Sequence, residues 1–381
     1  MKSSGLTSKF DLLVRRVFEP LQGAGVTIRA GGTSQRGTID AGGAGVALWN
    51  VDIDAKGAQG KKGAQKWVLF VERLPNGEPR NVRNAVLRLK HCMGQELGQA
   101  AGAKKSGTRL QHGLLLAPFI SEGAGKICED AGISYADLAG NARVAFGTIY
   151  ISVRLPEAPR RERRELQSLF TPRATRMLRV LLNAPRKTWK VVELAGAARV
   201  SLGWASALRQ KLAAREWASL EADGFRITKP DAVLDAWAGA DNWDKRTRTE
   251  EYSVPVFDPE ELAAKLQDAL RENSPVFTQW FAGWLRHPHT TPVIVSAYVR
   301  QFPSEAEIAR FAGRRVSEGG RLRLIVPKDE GVFDVTQTVQ GFTLVSDAQI
   351  YVDLLHAGQR GEEQAGELRK WADFSGGWEQ A

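Results

Sequence analysis

The most regular hydrophobic pattern lies between residues 171 and 228, where apolar residues recur at helical spacing in three short segments. Thr171 followed by Pro172 predicts the first helix start, because a hydroxyl residue suits the N-cap and proline suits the first helical position. Ser201 predicts the N-cap of the third helix. Asp223-Gly224 then separates two short strands. Three helices and a hairpin predict a winged helix-turn-helix, whose third helix would enter the major groove of DNA.

The predicted third helix has one apolar side and one side of small, hydrogen-bonding and cationic residues. The apolar side, which we expect to be buried, consists of Leu202, Ala205, Leu208 and Leu212. The candidate DNA-contacting residues of this helix are Ser201, Trp204, Ser206, Arg209, Gln210 and Lys211. Two interpretations of Trp204 stay open: it packs on a sugar edge or a thymine methyl, or it packs inside the protein. Arg226 is the candidate DNA contact on the predicted wing.

Positive charge is concentrated around this segment. Between Arg154 and Arg215 the chain has 15 Lys or Arg residues and 4 Asp or Glu residues, an excess as large as the formal net charge of +10 for the whole chain. Because phosphates attract a concentrated positive field, we favour DNA binding over the alternative that the winged helix binds only protein. The candidate phosphate contacts are Arg160, Arg161, Arg163, Arg164, Arg173 and Arg176.

Strand-like and helical runs alternate before this segment. Apolar runs at residues 26–29, 46–53 and 67–73 predict strands, and amphipathic runs at 9–21 and 82–100 predict helices. This alternation predicts an independent α/β domain over residues 1–155. A basic run follows two prolines at 156–170, which predicts a linker; a solvated charged face is its alternative interpretation.

The chain after the winged helix (residues 171–240) has a similar alternation. Residues 260–273 predict an amphipathic helix, and residues 293–299 and 322–326 predict strands. Ser346 begins a capping-box pattern for a later helix. These signals predict a C-terminal α/β domain over residues 250–381. Aromatic residues at helical spacing, which we expect to belong to its core, are Phe277, Trp280, Phe281 and Trp284.

Composition excludes several classes of protein. The two cysteines form no CxxC pair, so neither a disulfide framework nor a zinc site is predicted, and a reducing cytoplasmic compartment is expected. The polar N-terminus does not predict a signal peptide, and no apolar run approaches the roughly 20 residues of a membrane helix, so no membrane partner is expected. Scattered histidines and the lack of a Walker-type loop predict neither a metal site nor a cofactor.

Three carboxylates raise the possibility of nuclease chemistry. Asp52 or Asp54 near the end of one predicted strand, Glu72 on the next, and a following helix form the layout of a restriction-enzyme-type nuclease. Such an enzyme holds Mg²⁺ with the carboxylates and uses a lysine two residues after the glutamate. Leu74 stands at that lysine position. We therefore expect a restriction-endonuclease-like α/β fold with no catalytic residues; ordinary solvated carboxylates are the alternative interpretation.

Local motifs outside the winged helix resemble a known family. Residues 117–121 (Ala-Pro-Phe-Ile-Ser), 137–141 (Asp-Leu-Ala-Gly-Asn), 349–355 and 358–365 resemble AbiEi-type antitoxins, which are transcription regulators of type IV toxin–antitoxin systems. The likeness covers most of the chain from about Leu114 onward. It implies an inactive nuclease-like domain, a winged helix that represses the operon and a terminal domain with antitoxin activity. The chain departs from the family pattern at Trp204 and Ala207. The resemblance therefore does not identify which residues of the third helix contact the bases.

The resemblance also suggests partners. It implies a nucleotidyltransferase-type toxin as protein partner, with Asp353, Arg360 and Glu363 as candidate contacts; a helix cap and an Arg–Glu surface pair are the alternative interpretation. The motif from Asp137 to Asn141 has no chemistry attached to it, and a tight turn around Gly140 would explain it.

The first hypothesis is therefore an autoregulating antitoxin and not an enzyme. It binds double-stranded DNA at repeated half-sites in its own promoter, as a homodimer on DNA. The second hypothesis is a metal-dependent nuclease that uses Asp52, Asp54 and Glu72 and is targeted by the winged helix. The third is a plasmid or mobile-element protein that binds DNA for replication or partition, with no toxin. A downstream nucleotidyltransferase gene would favour the first.

Overall fold

A computed structural model describes residues 4–24, 26–33, 46–56, 62–100, 110–155, 166 and 168–378. The chain divides into two compact units, Met1–Arg164 and Glu165–Ala381. Each unit contains helices and a seven-stranded sheet, so the predicted mixed α/β class is confirmed.

The first unit alternates helices with strands. Its helices are α1 (Ser4–Phe18), α2 (Pro79–Ala100) and α3 (Glu122–Asp130), with a 3-10 turn at Glu19–Ala24. Its strands are β1 (Val26–Thr33), β2 (Ala47–Lys56), β3 (Lys62–Arg73), β4 (Leu110–Ala117), β5 (Ser134–Asp137), β6 (Ala142–Phe146) and β7 (Ile149–Val153).

The strands of this sheet lie in chain order from β1 to β7. The first three are antiparallel, β3 to β5 are parallel, and the last two are again antiparallel. The apolar run Leu114–Ala117 in β4 is buried on both faces because helices cover the sheet on both sides. One cluster joins α1 to the sheet through Phe10, Val14, Phe18, Trp49, Val51, Leu69 and Val71. The other joins α2 and α3 to it through Val82, Leu89, Phe70, Leu115 and Cys128.

The motif from Asp137 to Asn141 is a structural turn between β5 and β6. The buried Asp137 carboxylate accepts hydrogen bonds from the backbone nitrogens of Ile120 (2.9 Å), Gly140 (2.8 Å) and Asn141 (2.9 Å). The Asn141 side chain donates to the same carboxylate at 2.8 Å. Gly140 has φ +114°, a conformation that favours glycine. The interpretation of this motif as a tight turn is confirmed.

The second unit begins with the segment that predicts the winged helix. Its helices are α4 (Pro172–Asn183), α5 (Val191–Ala197), α6 (Leu202–Ala214), α7 (Pro230–Ala240), α8 (Trp243–Arg246), α9 (Pro259–Ala269), α10 (Gln279–Arg286), α11 (Glu305–Arg310), α12 (Asp347–Leu354) and α13 (Gln359–Lys370). Its 3-10 turns are Ser168–Phe170, Glu330–Phe333 and Phe374–Gly376. Its strands are β8 (Ala218–Glu221), β9 (Gly224–Ile227), β10 (Thr247–Ser253), β11 (Val276–Thr278), β12 (Val295–Tyr298), β13 (Arg314–Val316), β14 (Leu322–Pro327), β15 (Thr336–Val339) and β16 (Phe342–Val345).

The large sheet of this unit has the order β13-β10-β14-β12-β11-β16-β15, and β8 pairs separately with β9. One hydrophobic core includes Leu178 of α4, Leu208 of α6, Trp237 of α7, Leu324 of β14 and Ile350 of α12. The segments predicted as residues 171–240 and 250–381 therefore share a core within one unit.

Several local predictions differ from the structure. The helix predicted at 260–273 ends at Ala269. Phe277 lies in strand β11 rather than in the helix that holds Trp280 and Trp284, although it is buried as expected. Helical spacing misled the prediction there because β11 passes directly into α10 at Thr278.

Within the described residues, no single helix has the length and apolar character needed to cross a membrane. The pair α5 and α6, bent by 115°, passes that test only when its two helices are taken together.

Candidate nucleic-acid interface

Helices α5 and α6 have the geometry that the predicted helix-turn-helix requires. The two helices are bent by 115° with respect to each other, within the range of this motif. Arg199 in the connecting turn has φ +50°, and the backbone nitrogen of Val200 donates to the Ala195 carbonyl at 2.9 Å. The buried Ala198 lets the two helices approach closely at the turn. The connection before Ser201 is thus a tight turn.

The exposed start of α6 is set by Ser201. Its hydroxyl accepts a hydrogen bond from the backbone nitrogen of Trp204 at 3.5 Å, which confirms the predicted N-cap. Leu202, which we expected on the buried side, is 55% exposed. The first turn of α6 extends beyond the core. Leu202 therefore lies on the surface, although its spacing along the helix is that of the buried side.

Helix α6 presents an uncharged outward face. Gly203, Ala207 and Gln210 are exposed and lie three or four residues apart, which aligns them along one side of the helix. The opposite side is buried against the core through Ala205, Leu208, Leu212 and Ala213. We call the surface of Gly203, Ala207 and Gln210 the outward face.

Trp204 lies beside the outward face and is 38% exposed. The guanidinium carbon of Arg173, which is exposed at the start of α4, lies 5.5 Å from the centre of the Trp204 ring. This distance permits a cation–π contact. The structure thus brings together two predicted site residues that are 31 positions apart in sequence, and it shows that Trp204 is not fully packed inside.

The other candidates on α6 are less accessible. Arg209 is half-buried, and its Nε has no hydrogen-bond partner among the described residues. Lys211 is also half-buried, and its Nζ donates to the hydroxyl of Ser168 at 2.8 Å. Ser206 is half-buried at the edge of the outward face. Arg209 therefore does not share the outward face with Gln210, because adjacent helical positions differ by about 100°.

The wing is a short antiparallel hairpin. Strands β8 and β9 pair from Ala218 with Ile227 to Glu221 with Gly224. A Cβ at Gly224 would lie 2.4 Å from the Trp189 carbonyl oxygen, so glycine is required for the bridge between Trp189 and Phe225. Arg226, the predicted wing contact, is half-buried on β9.

Exposed cations surround the helix-turn-helix. Arg186, Lys187, Lys190 and Arg199 are all exposed. Some have acidic partners, since Lys187 lies 3.8 Å from Glu193 and Arg199 lies 3.2 Å from Asp334. Such pairs on the protein surface contribute little energy and can be exchanged for phosphate.

Arg176, a predicted phosphate contact, forms an ion pair within the protein. Its Nε and Nη2 donate to the two carboxylate oxygens of Asp329 at 2.8 and 2.9 Å. Both side chains are largely buried. This charge-assisted pair competes with the predicted phosphate contact. The predicted contacts Arg160, Arg161, Arg163 and Arg164 lie outside the described residues.

The prediction of Asp353 as a partner contact is wrong. Asp353 is 0% exposed, and its carboxylate pairs with Arg246 at 2.6 Å. Tyr298 and Thr278 donate to its second oxygen at 2.9 and 2.5 Å. Gln349 donates to the first oxygen at 2.6 Å. Asp353 is therefore the centre of a buried network that joins α12 to the sheet.

The other two partner candidates remain on the surface. Arg360 and Glu363 are exposed in α13. Gly358 precedes this helix with φ +84°, a conformation that favours glycine and sets the entry into α13.

The predicted nuclease carboxylates do not converge. In the pairing of β2 with β3, Asp52 is opposite Lys66, whereas Val71, next to Glu72, is opposite Ala47. Asp52 and Glu72 are therefore about six residues apart along the strands, which corresponds to roughly 20 Å. Asp54 lies still farther from Glu72. The hypothesis that these three carboxylates hold one metal ion is wrong, because strand register separates them.

Glu72 instead belongs to the interface between β3 and α2. It is 1% exposed and forms an ion pair with Arg88. Burial raises the pKa of Glu72, although the Arg88 guanidinium partly offsets this effect. Leu74 is buried in the same cluster as Val82 and Leu89.

The described residues contain no group of three or more His, Cys, Asp or Glu side chains that could hold a metal ion.

His112 is half-buried, and its Nε2 lies 2.7 Å from the Ser134 hydroxyl. Its ring stacks on Phe146 with centroids 4.9 Å apart. Burial lowers the pKa of His112 to about 4.

Sequence reasoning missed the polar anchors of α4. Arg179 is buried and donates through Nε to the Gln349 side chain at 2.7 Å. Burial lowers the pKa of Arg179 to about 10. The signal available in the sequence was its position, because Arg179 lies between Leu178 and Val180 on a helix that is apolar on more than one side.

Comparisons of the chain with protein-family models, with curated proteins and with solved structures find no match.

Proposed function

We propose that the protein is a DNA-binding transcription regulator that inserts α6 into the major groove. The observation that carries this proposal is the outward face of α6, which is exposed on the second helix of a helix-turn-helix bent by 115°. In such motifs the N-terminal part of the second helix contacts base edges, and the first helix crosses the phosphate backbone. The exposed start of α6 at Ser201 and Trp204 suits that arrangement.

The charge around the helix supports the same proposal. Exposed cations lie at the start of α4, before α5 and in the turn before α6, at Arg173, Lys190 and Arg199. They surround an uncharged helix face rather than occupying it. Proteins use cations around the groove to hold the phosphates, while the groove itself is read by uncharged and hydrogen-bonding groups as well as by arginine. The half-buried Arg226 on the wing and Lys211 on α6 are secondary candidates.

The resemblance to AbiEi-type antitoxins supports a more specific version of the proposal. In this version the protein binds repeated half-sites in its own promoter as a homodimer and opposes a nucleotidyltransferase-type toxin. Arg360 and Glu363 are the toxin contacts that we retain, because both are exposed on α13. The toxin partnership rests on sequence resemblance alone.

A gel-shift experiment tests the proposal. The full chain is titrated against its own upstream region and a scrambled duplex of equal length, at two salt concentrations and with Mg²⁺ in parallel lanes. We expect tighter binding to the upstream region and weaker binding at higher salt. Equal affinity for both duplexes would reject sequence-specific regulation. Cleavage in the Mg²⁺ lanes would reject a purely regulatory role.

A co-expression experiment tests the antitoxin version separately. A neighbouring nucleotidyltransferase gene is expressed with the wild-type protein or with the Glu363→Lys, Arg360→Glu double variant. We expect the wild-type protein to restore growth and the double variant to do so less well while still binding DNA. Growth inhibition that the wild-type protein does not relieve would reject the toxin partnership and leave the DNA-binding proposal standing.

A further inference from the structure

The outward face of α6 has an unusual composition for a helix that reads DNA. Gly203 and Ala207 are small, and Gln210 is the residue on this face that can donate and accept hydrogen bonds. Arg209 is half-buried, and Lys211 is bonded to Ser168. The outward face itself therefore offers apolar contact and one amide group, with the Arg173 guanidinium beside it over Trp204.

This composition limits which bases the helix can recognise. Guanine is most often read by an arginine or lysine that donates to O6 and N7. Adenine is read by the amide of asparagine or glutamine, and thymine by apolar contact with its methyl group. Gln210 has the amide for adenine. Trp204 and Ala207 have exposed apolar surface for thymine methyls.

Trp204 is held where it can make such a contact. Arg173 lies over its ring at 5.5 Å. Trp204 precedes Ala207 by three residues, so the two lie at neighbouring positions on the surface of α6.

Gly203 provides an independent observation. Among the described residues, the atom nearest to an added Cβ is the Ser201 hydroxyl at 3.9 Å, so packing within the protein does not require glycine here. Its φ is not in the left-handed region. Glycine is also a poorer helix former than alanine. A residue without a side chain at this position permits close approach of a ligand to the backbone of α6.

From these observations we infer that α6 selects A·T base pairs, with thymine methyls against Trp204 and Ala207 and adenine bonded to Gln210. This inference rests on the proposed function and adds the base class that the helix reads. Of the two interpretations of Trp204 that the sequence leaves open, the inference selects contact with DNA over packing inside the protein.

The test begins with selection of bound sequences from a pool of random duplexes by the full chain. We expect A·T pairs at the core positions of the selected site. Thymines in that site are then replaced one at a time by uracil, which removes only the methyl group. At the contacted positions we expect affinity to fall about three- to tenfold for wild-type protein. The Trp204→Ala variant should bind more weakly and should lose most of its sensitivity to uracil.

Glycine variants provide a matched control. Gly203→Ala should fold normally and bind the selected duplex at least fivefold more weakly, because the added methyl blocks close approach. Gly239→Ala changes an exposed glycine of α7 whose added Cβ also meets open space among the described residues, and it should bind normally. Equal binding by the two variants would show that DNA does not closely approach the α6 backbone at Gly203. It would overturn the assignment of the outward face as the surface that reads DNA.

The outcomes separate the inference from the function on which it rests. A selected site rich in G·C pairs, or one whose affinity is unchanged by uracil, would overturn the A·T inference and leave sequence-specific DNA binding intact. A pool from which no sequence is enriched would reject sequence-specific binding, and the inference would fall with it.

Discussion

Helices α4 and α6 belong to the same helix-turn-helix region, but they use their polar side chains differently. In α4, Arg176 pairs with Asp329 and Arg179 bonds Gln349, so the charges are directed into the protein. In α6, the residues of the outward face, such as Gln210, are exposed to solvent. Charge counted along the sequence therefore overstates the charge available to a polyanionic ligand. The surface that a helix offers to a ligand depends on how many of its sides are buried against the core.

The two helices also differ in what covers them. Met177, Leu181 and Leu182 of α4 are fully buried. Trp378 donates to the Leu182 carbonyl at 3.1 Å, and Arg186 donates to the Gly376 carbonyl at 2.6 Å. Helix α4 is thus an internal support of the second unit. Helix α6 packs on one side and leaves the other exposed, as an amphipathic helix does.

The largest expected effect is in the network behind α4. Asp353→Ala removes the buried carboxylate that accepts hydrogen bonds from Arg246, Tyr298, Thr278 and Gln349, and we expect about 3–5 kcal/mol of destabilisation because several buried donors lose their acceptor while Arg246 keeps only its ion pair with Asp241 among the described residues. Denaturant unfolding followed by tryptophan fluorescence would measure it, since nine of the eleven tryptophans lie in the second unit. Glu363→Ala on the exposed side of α13 is the matched control, with an expected change of roughly 0.5 kcal/mol or less. Equal stability of the two variants would contradict the buried network.

A second prediction concerns His112, a half-buried residue of the first unit whose pKa is lowered by burial. The pKa of His112 is lowered to about 4, below the ordinary value of 6.5, so the folded state binds fewer protons than the unfolded state between these pH values. Stability from this group is complete above pH 6.5 and is lost as pH falls toward 4. From pH 7 to pH 5 we expect the first unit to lose about 2 kcal/mol.

Histidine resonances measure this directly. The Cε1 proton signal that disappears in His112→Gln should titrate near pH 4 in the folded wild-type protein. The variant should also lose part of the acid sensitivity of the first unit. Titration of this signal near pH 6.5 would show that burial does not act on His112 as described.

Arg173 and Arg176 give a third prediction, because they are three residues apart on α4 but differ in exposure. Arg176→Ala should cost about 1–3 kcal/mol of stability through loss of a charge-assisted hydrogen-bonded pair. Its effect on the salt dependence of DNA binding should be small. Arg173→Ala should leave stability nearly unchanged and reduce the salt slope of DNA binding by about one. Thermal melting and binding at several salt concentrations distinguish the two, and a reversed pattern would contradict the assignment of Arg176 to the interior.

The smallest expected effects are at the helix starts. Ser201 caps α6, so Ser201→Ala should cost about 0.5–1 kcal/mol. The Thr171 hydroxyl at the start of α4 has no hydrogen-bond partner among the described residues, so Thr171→Val should be neutral or slightly stabilising. Denaturation midpoints compare the two variants. A larger cost at Thr171 than at Ser201 would reveal a bond to that hydroxyl.

The helix-turn-helix could be predicted from sequence because its signals are local. Apolar spacing, the cap at Ser201 and the turn at Asp223-Gly224 depend on neighbouring residues, and all three are present in the structure. Whether an individual side chain is exposed or paired depends on residues that are distant in sequence. Arg176 is directed inward by Asp329, which is 153 positions away.

The remaining errors have the same origin. Asp353 looks like a surface residue beside a helix cap, but β11, β12 and α8 place Thr278, Tyr298 and Arg246 around it. The nuclease hypothesis assumed that strand ends coincide, whereas the pairing of Asp52 with Lys66 places Glu72 far along the sheet. Strand register and tertiary burial are set by pairing across the chain, so a single sequence read locally does not determine them.

The most direct test of the account is one pair of variants with the same chemical change. Ala207→Glu adds a carboxylate to the outward face, and Ala264→Glu adds one to an exposed position of α9. Fluorescence anisotropy with a labelled duplex from the upstream region measures affinity, and thermal melting checks the fold. The account predicts at least tenfold weaker binding by Ala207→Glu, because the added carboxylate faces DNA phosphates, and less than a twofold change by Ala264→Glu. Wild-type affinity in folded Ala207→Glu would contradict the placement of α6 in the groove.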